Sequence, residues 1–119
     1  MQYLMMIYAN EAEYGKIEPA TLQKVYEEYG AFTQCIVQSG NFKAGDRLQP
    51  TTTATTVRVR DGKTLTTDGP FAETREQLGG YYLVEAKNLD EALAIAARIP
   101  GAKHGSCLLY TSPSPRDTR

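Results

Sequence analysis

Asp68 is a candidate for chemistry because it opens a run of residues that restrict the backbone. It precedes Gly69, which can adopt a positive φ, and Pro70, whose ring fixes φ. A carboxylate held on such a rigid bend can serve as a general base or orient an imidazole. Aspartate before glycine also commonly caps its own turn, so the pattern leaves a catalytic and a purely structural role open.

His104 is the one histidine of the sequence and the natural partner for that carboxylate. An imidazole can exchange protons near neutral pH, although a lone histidine between a helix and a strand is often only a hydrogen-bonded polar group. We name Asp68 and His104 as candidate catalytic residues. The hypothesis requires their side chains to lie within hydrogen-bond reach, directly or through one water, within or across chains.

Other side chains suggest ligand binding. Arg58 and Arg60 lie in a predicted hairpin whose basic face can bind an anion or simply be solvated. Phe71 is expected to be an apolar anchor after the bend, and strand tyrosines can line an aromatic pocket or pack an interface. The candidate ligand-binding residues are Arg58, Arg60, Phe71, Glu76 and Tyr82.

Composition argues against several classes of function. The formal net charge is -1, so no basic excess is available to neutralise a nucleic-acid backbone. The apolar start of the chain is too short to span a membrane and lacks a basic leader. Cys35 and Cys107 are too far apart for a zinc or redox motif, which suggests reduced thiols in a cytoplasmic protein. Glutamates 73, 76 and 85 with one histidine do not make a metal site, and we expect no metal and no cofactor.

Hydrophobic periodicity predicts the elements that would position these residues. Tyr3–Tyr8 is a strand apolar on both faces, and a long helix begins at Pro19 and stops at Gly40. Residues 41–50 form a connector with room for a short strand, and residues 51–66 form a hairpin around Asp61-Gly62. In that hairpin Arg60 pairs with Lys63. Residues 73–77 fit a solvated helical turn, and Asn10–Gly15 a loop.

The second half of the chain also contains predicted strands and a helix. A strand at residues 81–84 precedes a helix capped by Asn88 and Glu91, whose predicted buried face includes Leu89 and Leu93. His104–Tyr110 is a last strand. We predict one domain of residues 1–110, followed by a disordered, non-native tail of residues 111–119 that resembles translated adapter or vector sequence.

Three sequence motifs carry a resemblance to a known family. Thr67–Thr74, Glu76–Leu83 and Thr56–Gly62 resemble DGPF-domain proteins of the YCII-related superfamily. The resemblance implies an α+β, ferredoxin-like fold that forms a dimeric α+β barrel with a cleft between the sheet and its partner. Some relatives occur beside sigma factors of the extracytoplasmic type, and a few are lyases that act on chlorinated aromatic rings. Most have no assigned chemistry.

The catalytic pair of YCII proteins cannot be carried over directly. In that family a histidine is thought to lie early in the first helix after a proline, and Thr21 stands there in this sequence. The Ala102–Gly105 context of His104 also resembles the DGPF pattern.

Two functions follow as alternatives. The first is a homodimeric accessory or small-ligand-binding protein, with a small organic acid or aromatic compound as its ligand. The second is a cofactor-independent lyase, isomerase or hydrolase that uses Asp68 and His104 as acid and base groups. An enclosed pocket in which the two side chains converge would favour catalysis.

Overall fold

The computed structural model describes residues 1–112 and has an α+β fold, as predicted. Four strands form an antiparallel sheet in the order β2-β5-β1-β6, and β3 and β4 form a separate two-stranded ribbon. Three α-helices and two 3₁₀ turns complete this part of the chain. The strands are β1 (Gln2–Ala9), β2 (Phe42–Arg47), β3 (Thr55–Arg60), β4 (Lys63–Asp68), β5 (Gln77–Glu85) and β6 (Ser106–Ser112). The helices are α1 (Glu11–Tyr14), α2 (Pro19–Gln38) and α3 (Leu89–Ala96), and the 3₁₀ turns are Thr51–Thr53 and Pro100–Lys103.

The core lies between one face of the sheet and helices α2 and α3. Side chains of β1 alternate across the sheet, so Tyr3, Met5 and Ile7 are buried under the helices while their neighbours point the other way. Ile36 of α2 and Val84 of β5 are fully buried in the same cluster. Residues 1–112 therefore cover the sheet on one face only.

The long helix α2 begins and ends where the sequence indicates. Pro19 occupies its first turn, where a missing N–H costs nothing. At the other end Gly40 has φ +81°, and the Asn41 N–H donates to the Ile36 carbonyl at 2.9 Å, which completes a Schellman motif. Within this helix Phe32 and Ile36 are buried, and Tyr29 packs partly buried against the same core.

The hairpin has the predicted turn and register, but it does not join the main sheet. Asp61 and Gly62 both have positive φ, and Arg60 pairs with Lys63. The strand that completes the sheet is β2, in the segment predicted mainly as a connector. It pairs with β5, and its Gly45 lies closely against Tyr82.

Residues 73–77 do not form the predicted turn of helix. The segment is an irregular loop up to Gln77, where β5 already begins. Gly79 therefore lies inside the strand, at a bulge opposite the Ile7–Tyr8 step of β1. The predicted loop at Asn10–Gly15 instead contains α1, which Asn10 caps by accepting a hydrogen bond from the Ala12 N–H at 3.0 Å.

Helix α3 has the predicted N-cap, and the predicted Ala92 and Ala96 are buried, but Leu89 and Leu93 of the predicted face are not. The Glu91 N–H donates to the Asn88 side chain at 2.9 Å, whereas the Glu91 carboxylate accepts from Asn41 and does not complete a capping box. Leu89 and Leu93 are about half exposed, at 49% and 50%. The helix packs through Ala92, Ile95 and Ala96.

The last strand, Ser106–Ser112, lies two residues further along the chain than the predicted His104–Tyr110. Thr111 and Ser112, which the sequence assigns to the tail, belong to β6 and pair with Tyr3 and Gln2. The domain therefore extends at least two residues beyond the predicted boundary at Tyr110. The rest of the predicted tail, residues 113–119, lies outside the described residues.

The second face of the sheet is apolar and lacks a cover within the described chain. Cross-strand partners share a face, and Leu4 pairs with Leu83 and Tyr110, while Met6 pairs with Tyr81 and Leu108. We call this surface the open face. Leu108 and Tyr110, on the edge strand β6, are 45% and 55% exposed. The open-face residues are Leu4, Met6, Tyr81, Leu83, Leu108 and Tyr110.

Candidate functional site

The bend at Asp68–Phe71, which we call the elbow, is held by its neighbours in the ribbon. Gly69 has φ +92°, the left-handed conformation predicted for it. Its N–H donates to the Ala54 carbonyl at 2.6 Å, and its own carbonyl accepts from the Thr56 hydroxyl at 2.9 Å. Asp68 is exposed at the end of β4. The geometry of the bend thus rests on Ala54 and Thr56, and the Asp68 carboxylate faces solvent.

A polar network ties the base of the ribbon to the body of the domain. The Glu11 carboxylate accepts hydrogen bonds from the Thr51 N–H at 2.7 Å and from the Thr51 hydroxyl at 2.9 Å. The Glu11 N–H donates to the Gln77 side chain at 3.0 Å, and the Gln77 amide donates to the Thr74 carbonyl. Sequence reasoning missed Glu11 and Thr51 because they are 40 residues apart in the chain. Gln77 lies in one of the family motifs, which was the available signal.

A cleft of about 330 Å³ lies beside this network, and we call it the elbow cleft. Threonine hydroxyls, one amide and one carboxylate line it, together with the apolar side chains of Pro70 and Ala72. Such a wall can donate and accept hydrogen bonds with a small polar molecule. The lining residues are Thr51, Thr52, Pro70, Ala72, Glu73, Thr74 and Gln77.

The two candidate catalytic residues are both exposed, and neither lines the elbow cleft. His104 follows the second 3₁₀ turn, and its N–H donates to the Gly101 carbonyl at 3.3 Å. Among residues 1–112, no hydrogen bond or ion pair joins His104 to Asp68. No polar or charged residue in this range is buried. A single subunit therefore does not enclose an acid–base pair in a dry pocket.

Glu76 lies beside the start of β6. Its carboxylate accepts a hydrogen bond from the Ser106 hydroxyl at 2.8 Å, two residues after His104. Glu76 thus links the loop that follows the elbow to the start of β6, two residues after His104.

The basic residues of the ribbon lie on one face, as the register predicts. Arg58 and Arg60 are exposed there with Lys63, and Arg60 donates to the Val59 carbonyl at 2.9 Å. The opposite face of the ribbon carries Val57 and Val59.

The two aromatic candidates have opposite environments. Phe71 is 79% exposed, so within one chain it does not anchor the elbow as expected. Tyr82 is 9% exposed and packs edge-on against Phe32, with ring centroids 5.2 Å apart. Its hydroxyl lies 2.7 Å from that of Thr33. Tyr82 therefore belongs to the core between the sheet and α2.

Two ionisable groups under the helices have shifted pKa values. Burial raises the pKa of Tyr29, and the nearby phenol of Tyr14 raises it further. Burial also raises the pKa of the Cys107 thiol. Both groups are consequently held in their neutral forms, which suits a structural role under the helices more than proton transfer.

A second cleft of about 330 Å³ lies between α2 and the second 3₁₀ turn. The Arg98 guanidinium donates to the Cys35 sulfur at 3.4 Å on its wall. Cys35 and Cys107 are both free thiols, as predicted.

Residues 1–112 hold no group of three or more histidine, cysteine or acidic side chains arranged to bind a metal. Within the same range, no helix combines the length and the hydropathy needed to cross a membrane.

The fold and the elbow together define a small α+β domain with a sheet covered on one face and a rigid bend beside a polar cleft. The chain matches the family model described as the YCII-related domain over residues 1–111. It belongs to the YCII-related family, which confirms the resemblance seen in its motifs. It is also similar to a protein of Rhizobium meliloti (strain 1021) described as "Uncharacterized protein R00369", with 37% identity over 102 residues that cover 86% of this chain and 82% of the relative.

Proposed function

We propose that this protein is a homodimeric binding or accessory protein that takes a small organic molecule into its elbow cleft. The observation that carries the proposal is the cleft itself, about 330 Å³ in volume and lined by hydroxyl, amide and carboxylate groups. Phe71, between two lining residues, offers an exposed aromatic ring at the rim. This combination suits a small acid or phenol that stacks on the ring and hydrogen-bonds to the wall.

The open face supports the homodimer. Two helices cover one face of the sheet in a β-α-β-β-α-β order once the ribbon is set aside, which is the ferredoxin-like arrangement. An apolar second face of this size is unfavourable in water, and packing it against a second copy would form a dimeric α+β barrel. The free thiols support a reducing compartment, the cytoplasm, as its location.

A thermal-shift screen of small carboxylic acids and phenols tests ligand binding. We expect a compound that raises the melting temperature of the wild type and not that of Thr74→Val or Glu73→Gln. The exposed Glu27→Gln on α2 is the matched control and should respond like the wild type. The proposal fails if no compound shifts the melting temperature, or if the cleft variants respond like the control.

The second candidate is a cofactor-independent enzyme of the lyase, isomerase or hydrolase type that uses Asp68 and His104. The exposure of both side chains favours it, since groups that face solvent in one subunit are available to meet across a dimer interface. The variants Asp68→Asn and His104→Gln discriminate between the candidates. If both lose the ligand response while the cleft variants keep it, the enzyme hypothesis replaces the first.

A further inference from the structure

The β3–β4 ribbon, which we call the arm, has no packing partner in the described chain. Its strands pair only with each other, and every residue of the two strands except Thr56 is exposed. An isolated two-stranded ribbon is marginally stable in water at best. A surface that receives one of its faces would therefore stabilise the arm.

The two faces of the arm differ in chemistry. Val57 and Val59, each 60% exposed, lie on one face opposite threonines of β4. Arg58, Arg60 and Lys63 lie on the other face, together with Leu65. A ribbon with an apolar and a basic face is suited to lie on an apolar surface with its charges in water.

The base of the arm is fixed by the domain that carries it. Thr51, just before β3, donates twice to the Glu11 carboxylate, and the Gly69 N–H after β4 donates to Ala54. This attachment leaves the two valines exposed while Leu108 and Tyr110 of the same chain also remain exposed. The arm therefore does not cover the open face of its own subunit.

We propose that the arm of each subunit lies along β6 of its partner, with Val57 and Val59 against Leu108 and Tyr110 of the partner subunit. The inference rests on the proposed homodimer. Each chain supplies the exposed valines of the arm and the exposed apolar residues of β6. A two-fold axis between two chains therefore forms both arm–β6 contacts at once. A six-residue ribbon is roughly 20 Å long, whereas packed sheets lie about 10 Å apart, so the arm is long enough to reach. Packing of the sheet centres covers Leu4 and Met6, and the arms cover the β6 edges.

The double variant Val57→Thr/Val59→Thr tests the contact, because threonine keeps the β-branched shape and strand preference while adding a hydroxyl to the buried strip. We expect sedimentation equilibrium to give a dimer dissociation constant raised roughly tenfold to a hundredfold. Leu93→Gln, a similarly exposed apolar residue on α3, is the matched control and should leave the constant unchanged. A wild-type protein that is monomeric overturns the homodimer itself. A wild-type dimer whose constant is unaffected by the double variant overturns the arm contact alone.

A second measurement locates the arm directly. All of the protein carries Cys35→Ser/Cys107→Ala. A spin label is attached at Lys63→Cys to protein without ¹⁵N, and this protein is mixed with ¹⁵N-labelled protein that carries no spin label. We expect broadening of the amide signals of residues 108–110 in the ¹⁵N-labelled subunit. Broadening confined to α2 and α3, or none in a sample that sediments as a dimer, overturns the proposal.

Discussion

The two faces of the four-stranded sheet are built from neighbouring residues of the same strands, yet they have opposite environments. Met5 is fully buried under the helices, while Met6 and its cross-strand partner Leu108 lie on the open face. Hydrophobicity is similar on both sides, so composition alone does not decide which face the chain covers. The helices cover one face, and the other is left uncovered by the described residues.

The largest expected effect is a loss of folding stability caused by a substitution on the covered face of the sheet. Ile36→Ala removes most of a fully buried side chain and leaves a cavity, and we expect it to lower the free energy of unfolding by about 2–5 kcal/mol. Urea unfolding should show this loss at every protein concentration. The neighbouring Val37→Ala, at a 52% exposed position, should cost no more than about 0.5 kcal/mol. Equal losses in the two variants would contradict the assignment of the core.

Leu4→Glu should instead affect association. A carboxylate at the centre of the open face would be buried without a partner in the proposed dimer, and we expect the dissociation constant to rise roughly a hundredfold or more. Sedimentation at several concentrations measures it, with Leu93→Glu on α3 as the control. A variant that dimerises like the wild type would show that the open face is not the interface.

Two glycines of the covering helix should respond in opposite directions. Gly40→Ala forces a side chain into the left-handed C-cap, at a cost of about 1 kcal/mol, although no atom obstructs the added methyl group. Gly30→Ala, inside α2 with equally open surroundings, should stabilise by about 0.5–1 kcal/mol. Urea midpoints test both, and a loss at Gly30 comparable to that at Gly40 would contradict the account.

The smallest expected effect is a dependence of folding stability on pH, which is absent at neutral pH. The raised pKa values of Cys107 and Tyr29 mean that the folded protein keeps protons that the unfolded chain loses above their ordinary values of 9.0 and 10.0. Their contribution to stability is thus fully present below those values and is lost as the pH rises through the folded pKa. Tyr29→Phe should flatten the decline of the urea midpoint above pH 10.0. An unchanged decline would show that other groups cause it.

Sequence reasoning succeeded where local chemistry decides the structure. The Asp61-Gly62 turn, the register of the arm, the Gly40 helix stop and the positive φ of Gly69 follow from conformational preferences over a few residues. The family was also recognisable, because its motifs lie in these locally determined segments.

Sequence reasoning failed where contacts between distant segments of the chain determine the structure. Strand β2 has few residues with high strand propensity and is strand because β5 pairs with it. In helix α3 the tertiary packing buries Ile95 with Ala92 and Ala96 and leaves Leu89 and Leu93 half exposed. The elbow cleft depends on the hydrogen bonds between Glu11 and Thr51, which no spacing rule reveals. The bend of the elbow was therefore predictable from the sequence, whereas the walls of the elbow cleft were not.

The two edges of the sheet differ in one further respect. Strand β2 carries Lys43, Asp46 and Arg47, charges that discourage another strand from adding to it. Strand β6, Ser106–Ser112, carries no charged side chain. No strand of residues 1–112 pairs with the outer edge of β6, so in a single chain its backbone groups are a template to which another extended chain can add. A lysine in place of Thr111 would give β6 the kind of charge that β2 already carries, and would discourage such pairing.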